Sequence, residues 1–152
     1  MRLLVYLALL PLLLVTAPVA AACSVSIGTP GQLRLSSDGT VLGSDVGLAT
    51  PATFTTSLGL LESAHVDVGA PVRTSEGSGY KSASESNQIS YTAAVLGVLT
   101  VATQPFTSSP TTVATGILGQ VTITFTLHNR ITNPNSFTTG HYSTRTIVTC
   151  RP

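Results

Sequence analysis

The chain has 152 residues, with seven Lys or Arg against six Asp or Glu, and charged residues make up only 9% of it. Such a neutral composition provides no clustered basic surface, so we expect neither nucleic-acid binding nor attachment to an anionic membrane surface. Serine and threonine together form about a quarter of the chain, whereas lysine occurs once. This composition favours β-strands over helices, since threonine suits a pleated surface and helices usually carry Glu and Lys.

Residues 1–22 have the features of a signal peptide. Arg2 precedes an apolar run over residues 3–15, and residues 20–22 are alanines that suit cleavage before Cys23. The run is short and lacks a charged stop, so it is not expected to span a membrane. We therefore predict export to the periplasm, the cell surface or the extracellular space, with one domain over residues 23–152.

The two cysteines, Cys23 and Cys150, lie near opposite ends of that domain. In an exported chain they predict a disulfide, which would contribute roughly 4–5 kcal/mol on the chain-entropy model. The alternative is lipidation of Cys23 after cleavage. A lipobox usually has Leu, Val or Ile three positions before the cysteine, where this chain has Ala20, and lipidation would leave Cys150 unpaired. The disulfide is therefore preferred.

Period-two alternation of apolar and polar residues predicts short strands along the whole domain. In chain order these are residues 23–27, 32–36, 41–42, 52–61, 63–68, 88–103, 111–114, 116–127 and 141–150. Asp38 and Gly39 predict a tight hairpin turn after the second strand. Residues 88–103 are expected to form two strands or one bent strand rather than a helix, because β-branched residues dominate and a glycine interrupts them.

Three segments between these strands are predicted loops. They are residues 69–87, which hold much of the charge and read as a solvated loop, residues 105–110 around Phe106, and residues 128–139. Seven to nine short strands without a convincing helix are typical of an immunoglobulin-like Greek-key β-sandwich. The sequence therefore predicts an all-β fold of that kind.

The last predicted strand, residues 141–150, has the longest alternation. One of its two faces carries Tyr142, Thr144, Thr146, Val148 and Cys150. Gly140 and Tyr142 at its start are expected to have a structural role. A tyrosine placed there can bury its ring and donate its hydroxyl to the backbone, as the tyrosine corner of Greek-key sandwiches does.

Two pairs of residues that contain histidine could carry chemistry, and each has a more ordinary explanation. His65 and Asp67 share one strand face, which would suit an oriented general base, but any two exposed polar residues of a strand share a face in this way. His128 and His141 flank a loop, but zinc needs three or four ligands and both cysteines are expected to be oxidised.

Other motifs that carry chemistry are missing from the sequence. Asp38 and Asp45 flank a turn without the spacing of a calcium-binding loop. No serine lies in G-x-S-x-G or S-x-x-K, and the glycines form no phosphate-binding pattern. We therefore expect no catalytic, cofactor-binding or metal-binding residues, no cofactor and no enzymatic activity.

Two terminal stretches resemble bacterial pilin-like families, especially the spore coat protein U group and related secreted fimbrial domains. The first is residues 23–26 (CSVS), where those families open with a cysteine-bearing strand. The second is residues 137–142 (FTTGHY) leading into residues 147–149 (IVT), which is similar to their closing F-x-x-G-x-Y-x-x-x-x-x-V-T signature. The middle of the chain is similar to those families only in composition.

The resemblance implies an immunoglobulin-like sandwich with a structural or adhesive role at a bacterial surface. It also implies assembly by strand donation, with a periplasmic chaperone and usher or other surface subunits as partners. A polymerising pilin needs an alternating extension ahead of its first cysteine. Cleavage before Cys23 would remove any such extension, so we expect this protein to accept a strand without donating one.

Two other functions are kept as alternatives. A self-contained secreted binding module for a sugar, a surface polymer or a protein predicts a complete sandwich with aromatic residues clustered at one loop end. A small secreted hydrolase is less favoured, and it requires a pocket that converges on His65, His128 or His141.

Overall fold

A computed structural model describes residues 23–59, 63–95, 99–115 and 121–151, so the expected signal peptide lies outside the described residues. The described residues form twelve strands and one short 3-10 helix over Ser82–Ser84. The strands are β1 (Cys23–Ile27), β2 (Arg34–Leu35), β3 (Val41–Gly43), β4 (Ala52–Leu58), β5 (Ala64–Val68), β6 (Val72–Ser75), β7 (Ser86–Val95), β8 (Leu99–Thr107), β9 (Thr111–Thr115), β10 (Val121–Thr132), β11 (Ser143–Arg145) and β12 (Val148–Arg151). The predicted all-β class is confirmed. Within these ranges, no helix is long and apolar enough to cross a membrane.

The long strand β10 is the centre of a seven-stranded sheet. β7 pairs along one edge of β10, while β4 and β3 pair with its first and last parts along the other edge. β1 extends the sheet beyond β4, β2 beyond β3 and β8 beyond β7. The remaining strands form a three-stranded sheet, in the order β12-β5-β9, and the pair β11-β6. The predicted hairpin at residues 38–39 connects β2 to β3.

The seven-stranded and three-stranded sheets share one hydrophobic core. Every second residue of β10 points inward, and Ile123 and Phe125 are fully buried. Val66 and Val68 of β5 belong to the same buried cluster. The rings of Phe54 and Phe125 stack with their centroids 4.4 Å apart. One core between two sheets supports the predicted β-sandwich, and the immunoglobulin-like Greek-key topology stays a prediction.

The predicted continuous strand over residues 141–150 is wrong, because its two halves pair with different partners. β11 pairs with β6 and β12 pairs with β5. Between them, the Thr146 hydroxyl donates to Oδ1 of Asn129, and the Ile147 carbonyl accepts a hydrogen bond from the Gly69 amide. The alternation of more and less buried side chains continues through this break, so the sequence pattern fixes the faces but not the pairing.

Three predicted loops also contain strands. β6 lies within residues 69–87, β8 continues through Phe106 to Thr107, and β10 continues to Thr132. The number of strands exceeds the predicted seven to nine because β6 is added, residues 88–103 are divided between β7 and β8, and the last strand is split. β6 pairs with β11, which is far away in sequence, and a strand that depends on such a partner has little local signal of its own.

Candidate functional site

An open groove of about 670 Å³ lies between the inner face of the seven-stranded sheet and the C-terminal segment that contains β11 and β12. Its apolar lining residues include Val25, Ile27, Leu33, Phe54, Leu127 and Val148. The other described residues of its lining are neutral, so the whole groove is uncharged. A segment that fills it would therefore need apolar side chains and no compensating charge.

Strands with unpaired edges flank the groove. Among the described residues, β1 pairs only with β4, β12 only with β5 and β11 only with β6, so each lies at the end of its sheet. An edge strand presents free backbone N–H and C=O groups to any strand that approaches it. The inward-facing side chains of β1 become more exposed along the strand, from 36% at Val25 to 88% at Ile27.

A disulfide joins β1 to β12 at the end of the groove that lies away from the exposed Ile27. Cys23 and Cys150 are bonded, with their Cα atoms 5.8 Å apart, and the described residues include no free cysteine. The predicted disulfide is thus confirmed, and the alternative, lipidation of Cys23, has no free thiol to use. Because the bond lies beside the buried core, it holds the two edge strands together where the groove begins.

Asn129 fixes the C-terminal segment over the floor of the groove. Its Nδ2 donates to the Thr144 hydroxyl at 3.0 Å, and its Oδ1 accepts from the Thr146 hydroxyl at 3.1 Å. Both hydrogen bonds join β10 to the segment that forms the opposite wall. Asn129 was missed in the sequence, because a lone asparagine near the end of an alternating strand is indistinguishable from a loop residue.

Tyr142 lies at the loop end of the groove and is part of its lining. Its hydroxyl donates to the Thr138 carbonyl at 2.9 Å, and its half-buried ring packs edge-on against Tyr80 and Phe137, with centroids 5.3 Å away in each case. A Cβ added to Gly140 would overlap the backbone of Gly77. The chain therefore needs glycine at this crossing.

Part of residues 69–87, which were predicted to form a solvated loop, packs on this aromatic cluster, whereas residues 81–84 are exposed. Arg73 lies over the Tyr80 ring, 4.9 Å from its centroid, and donates to Glu85 at 2.9 Å. Burial is the main reason that the pKa of Tyr80 is raised. For Glu85 desolvation acts in the raising direction, but hydrogen bonds from Asn87, Arg73 and Tyr80 hold its pKa below the ordinary value.

The histidine and aspartate pair of β5 is engaged in sheet pairing. Asp67 accepts hydrogen bonds from the guanidinium of Arg151 on β12 and from the hydroxyl of Thr112 on β9. The bond from Arg151, followed by that from Thr112, lowers the pKa of Asp67 to about 2. His65 is exposed on the same strand. The carboxylate is thus used to link three strands, and it makes no hydrogen bond with His65.

The other candidates for chemistry are also separated. His128 contacts Ser44, with 3.4 Å between Nδ1 and the serine Oγ, and His141 is exposed before β11. Asp38 accepts hydrogen bonds from both sides of its hairpin turn, and Asp45 pairs with Arg130. Within the described ranges, no three His, Cys, Asp or Glu residues are grouped as metal ligands.

No family model matches this chain, and no curated protein or solved structure is significantly similar to it. The resemblance to spore coat protein U and fimbrial domains stays a prediction.

Proposed function

We propose that this protein is a secreted, pilin-like surface subunit that accepts a β-strand from another subunit or from an assembly chaperone. The observation that carries the proposal is the uncharged groove with unpaired strand edges on both sides. In β-augmentation, an incoming strand forms main-chain hydrogen bonds with an edge, and its alternate side chains fill apolar pockets. The groove offers both kinds of interaction to one extended segment.

The exposed side chains of the groove give such a strand a source of binding energy. Ile27 is 88% exposed and Ile147 is 58% exposed, and both belong to the lining. Full burial of a side chain of this size contributes about 1.5–3 kcal/mol. A donated strand that covers both residues would therefore stabilise the domain as well as bind to it.

The proposal includes export, an immunoglobulin-like topology and a role without enzymatic activity. Two observations support it: a disulfide of the kind that persists in oxidising compartments, and the terminal motifs that resemble fimbrial domains. The hydrolase alternative has less support, because the groove contains none of the three histidines and a second, smaller cavity contains His128 alone.

The experiment follows assembly of the full chain, carrying an epitope tag, in the bacterium that produces it. Strand-donated subunits stay joined in detergent until they are heated, so unheated samples should give a ladder of bands on a denaturing gel. We expect Ile27→Asp to abolish the ladder, because a charge in the groove cannot be buried without a partner. Leu48→Asp is the matched control, since Leu48 is 83% exposed in a loop outside the groove, and it should keep the ladder.

Two outcomes would contradict the proposal. One is a wild-type protein that is exported and runs only as a monomer without heating. The other is an unchanged ladder for Ile27→Asp. A non-reducing gel on each variant checks that the disulfide has formed, so a loss of assembly is not confused with a failure to fold.

A further inference from the structure

A second cavity, of about 270 Å³, lies between β7, β8 and β10, and residues of a β-bulge form part of its lining. Ile89 pairs with Thr107 and Tyr91 pairs with Gln104, so β8 has one residue more than β7 between these two pairs. The extra length contains Pro105, which has no N–H to donate to the ladder. Bulges of this kind bend a strand and redirect its side chains. Here the redirected residue is Phe106.

The lining of the cavity combines polar side chains with aromatic rings. It consists of Ser90, Tyr91, Thr92, Thr103, Gln104, Pro105, Phe106 and His128. The sheet register places His128 opposite Ser90 and Thr92 opposite Thr103, so these four residues lie on one face of the sheet. The Gln104 amide nitrogen donates to the Pro105 carbonyl, which leaves its Oε1 as an acceptor.

The guanidinium of Arg130 packs over the ring of Phe106 and holds it in place. The guanidinium carbon lies 3.8 Å from the ring centroid, and Arg130 is itself paired with Asp45. This stack fixes the ring, and the ion pair neutralises the positive charge beside it. Phe106 therefore gives the cavity a fixed apolar wall without adding a net charge.

The cavity opens at the end of a row of hydroxyl groups across the outer face of the sheet. The sheet register aligns Thr53, Thr126, Thr92 and Thr103 on four neighbouring strands, and the last two also line the cavity. In the next row, Ala94 interrupts the hydroxyl groups of Ser26, Thr55, Thr124 and Thr100. At the usual strand spacing, the first row extends over roughly 14 Å. An extended uncharged polymer could thus continue from the cavity along the face.

We propose that this cavity is a binding site for one residue of a neutral polysaccharide, whose neighbouring residues lie along the threonine row. A neutral sugar presents hydroxyl groups at its edge and C–H groups on its face, and it is recognised by a few neutral polar groups around an aromatic ring. The cavity, of about 270 Å³, is slightly smaller than the usual small-molecule site, so it would hold no more than a single sugar unit. It lies on the face of β10 opposite the groove and shares no lining residue with it, and of the first threonine row only Thr53 also lines the groove.

The test uses the mature protein with four neutral probes, namely maltohexaose, cellohexaose, mannohexaose and N-acetylchitohexaose, and with dextran sulfate as an anionic probe. Binding is followed by amide chemical shifts in solution. We expect at least one neutral probe to shift the amides of Ser90, Thr92, Thr103 and Phe106, while those of the groove strand β1 stay unchanged. Absence of such shifts with all four neutral probes would overturn the proposal, and so would binding of dextran sulfate alone.

Three variants sharpen the test on whichever neutral probe binds. Phe106→Ala should weaken binding about tenfold, since a stacked ring contributes about 1–1.5 kcal/mol. Thr92→Val keeps the shape of the side chain and removes only the hydroxyl, so it should weaken binding about three- to tenfold without affecting folding. Leu99→Ala, on β8 but outside the cavity, is the control and should bind like the wild type. Unchanged affinity in both Phe106→Ala and Thr92→Val would overturn the proposal.

Discussion

The inner face of the seven-stranded sheet has a covered half and an open half, although the same strands form both. In the covered half, Ile123 and Phe125 are completely buried in one cluster with Val66 of the facing sheet. In the open half, Val25 and Ile27 continue the alternation that begins at Cys23, yet Ile27 is almost fully exposed. Strands β4 and β10 carry apolar side chains into both halves, with Asn129 as a polar residue in the open one, and exposure differs mainly because of how far the second layer reaches.

This difference separates residues that hold the fold together from residues that are available to a partner. Substitutions in the covered half should lower the free energy of unfolding of the isolated protein. Substitutions in the open half should leave that free energy nearly unchanged and alter assembly instead. The disulfide lies at the boundary, since it ties the edge strand β1 to the covered half.

The largest expected effect comes from removing the disulfide. The double variant Cys23→Ala, Cys150→Ala should lose roughly 4–5 kcal/mol of stability, because the bond closes a loop of 127 residues in the unfolded chain. Urea denaturation measures the loss. Hydrogen exchange should show faster opening of the β1 amides than of the β10 amides. An unchanged urea midpoint would mean that the disulfide does not hold the boundary between the two halves.

A pair of truncations compares the two halves directly. Phe125→Ala should cost about 3–5 kcal/mol, since it leaves a cavity beside Phe54 in the buried core. Ile27→Ala should cost less than about 0.5 kcal/mol in the isolated protein, because its side chain is already exposed. Urea denaturation of both variants under the same conditions provides the comparison. Similar losses of stability at the two positions would show that the Ile27 side chain is buried in solution and that the open half is in fact covered.

The covered half could be predicted from the sequence, whereas the open half could not. The alternation around Phe125 and the cysteine spacing indicate a buried strand and a disulfide, and both are present. The groove depends on which edges remain unpaired, and pairing between distant strands leaves no local pattern. The roles of Asn129 and Phe106 could not be predicted for the same reason. Phe106 was assigned to a loop, because the bulge that redirects its side chain depends on the register between β7 and β8.

A smaller effect is expected at the loop end of the groove. Gly140→Ala should cost about 1–3 kcal/mol, because the added methyl group would overlap the backbone of Gly77. His141→Ala, at the neighbouring exposed position, is the control and should change stability by less than about 0.5 kcal/mol. Thermal unfolding of both variants tests the difference. If Gly140→Ala were as stable as the control, the two backbone segments would not cross as closely as described.

The smallest effect is a pH dependence on the outer face of the three-stranded sheet, where Asp67 joins β5 to β12 and β9. Its pKa of about 2 in the folded protein lies below the ordinary 3.8, since Arg151 and Thr112 donate hydrogen bonds to the ionised carboxylate. The folded state therefore binds fewer protons than the unfolded state between these two values. The resulting stabilisation is complete above the ordinary pKa and is lost as the pH falls towards 2.

Asp67→Asn should remove this part of the pH dependence. The fall in melting temperature between pH 6 and pH 2 should be smaller in the variant than in the wild type. Some of the fall should remain, because hydrogen bonds from Ser36 and Thr40 also lower the pKa of Asp38 to about 2. Arg151→Gln removes the main hydrogen-bond donor to Asp67, and its fall in melting temperature should also be smaller than that of the wild type. Equal falls in all three proteins would show that this link between the strands is not formed in solution.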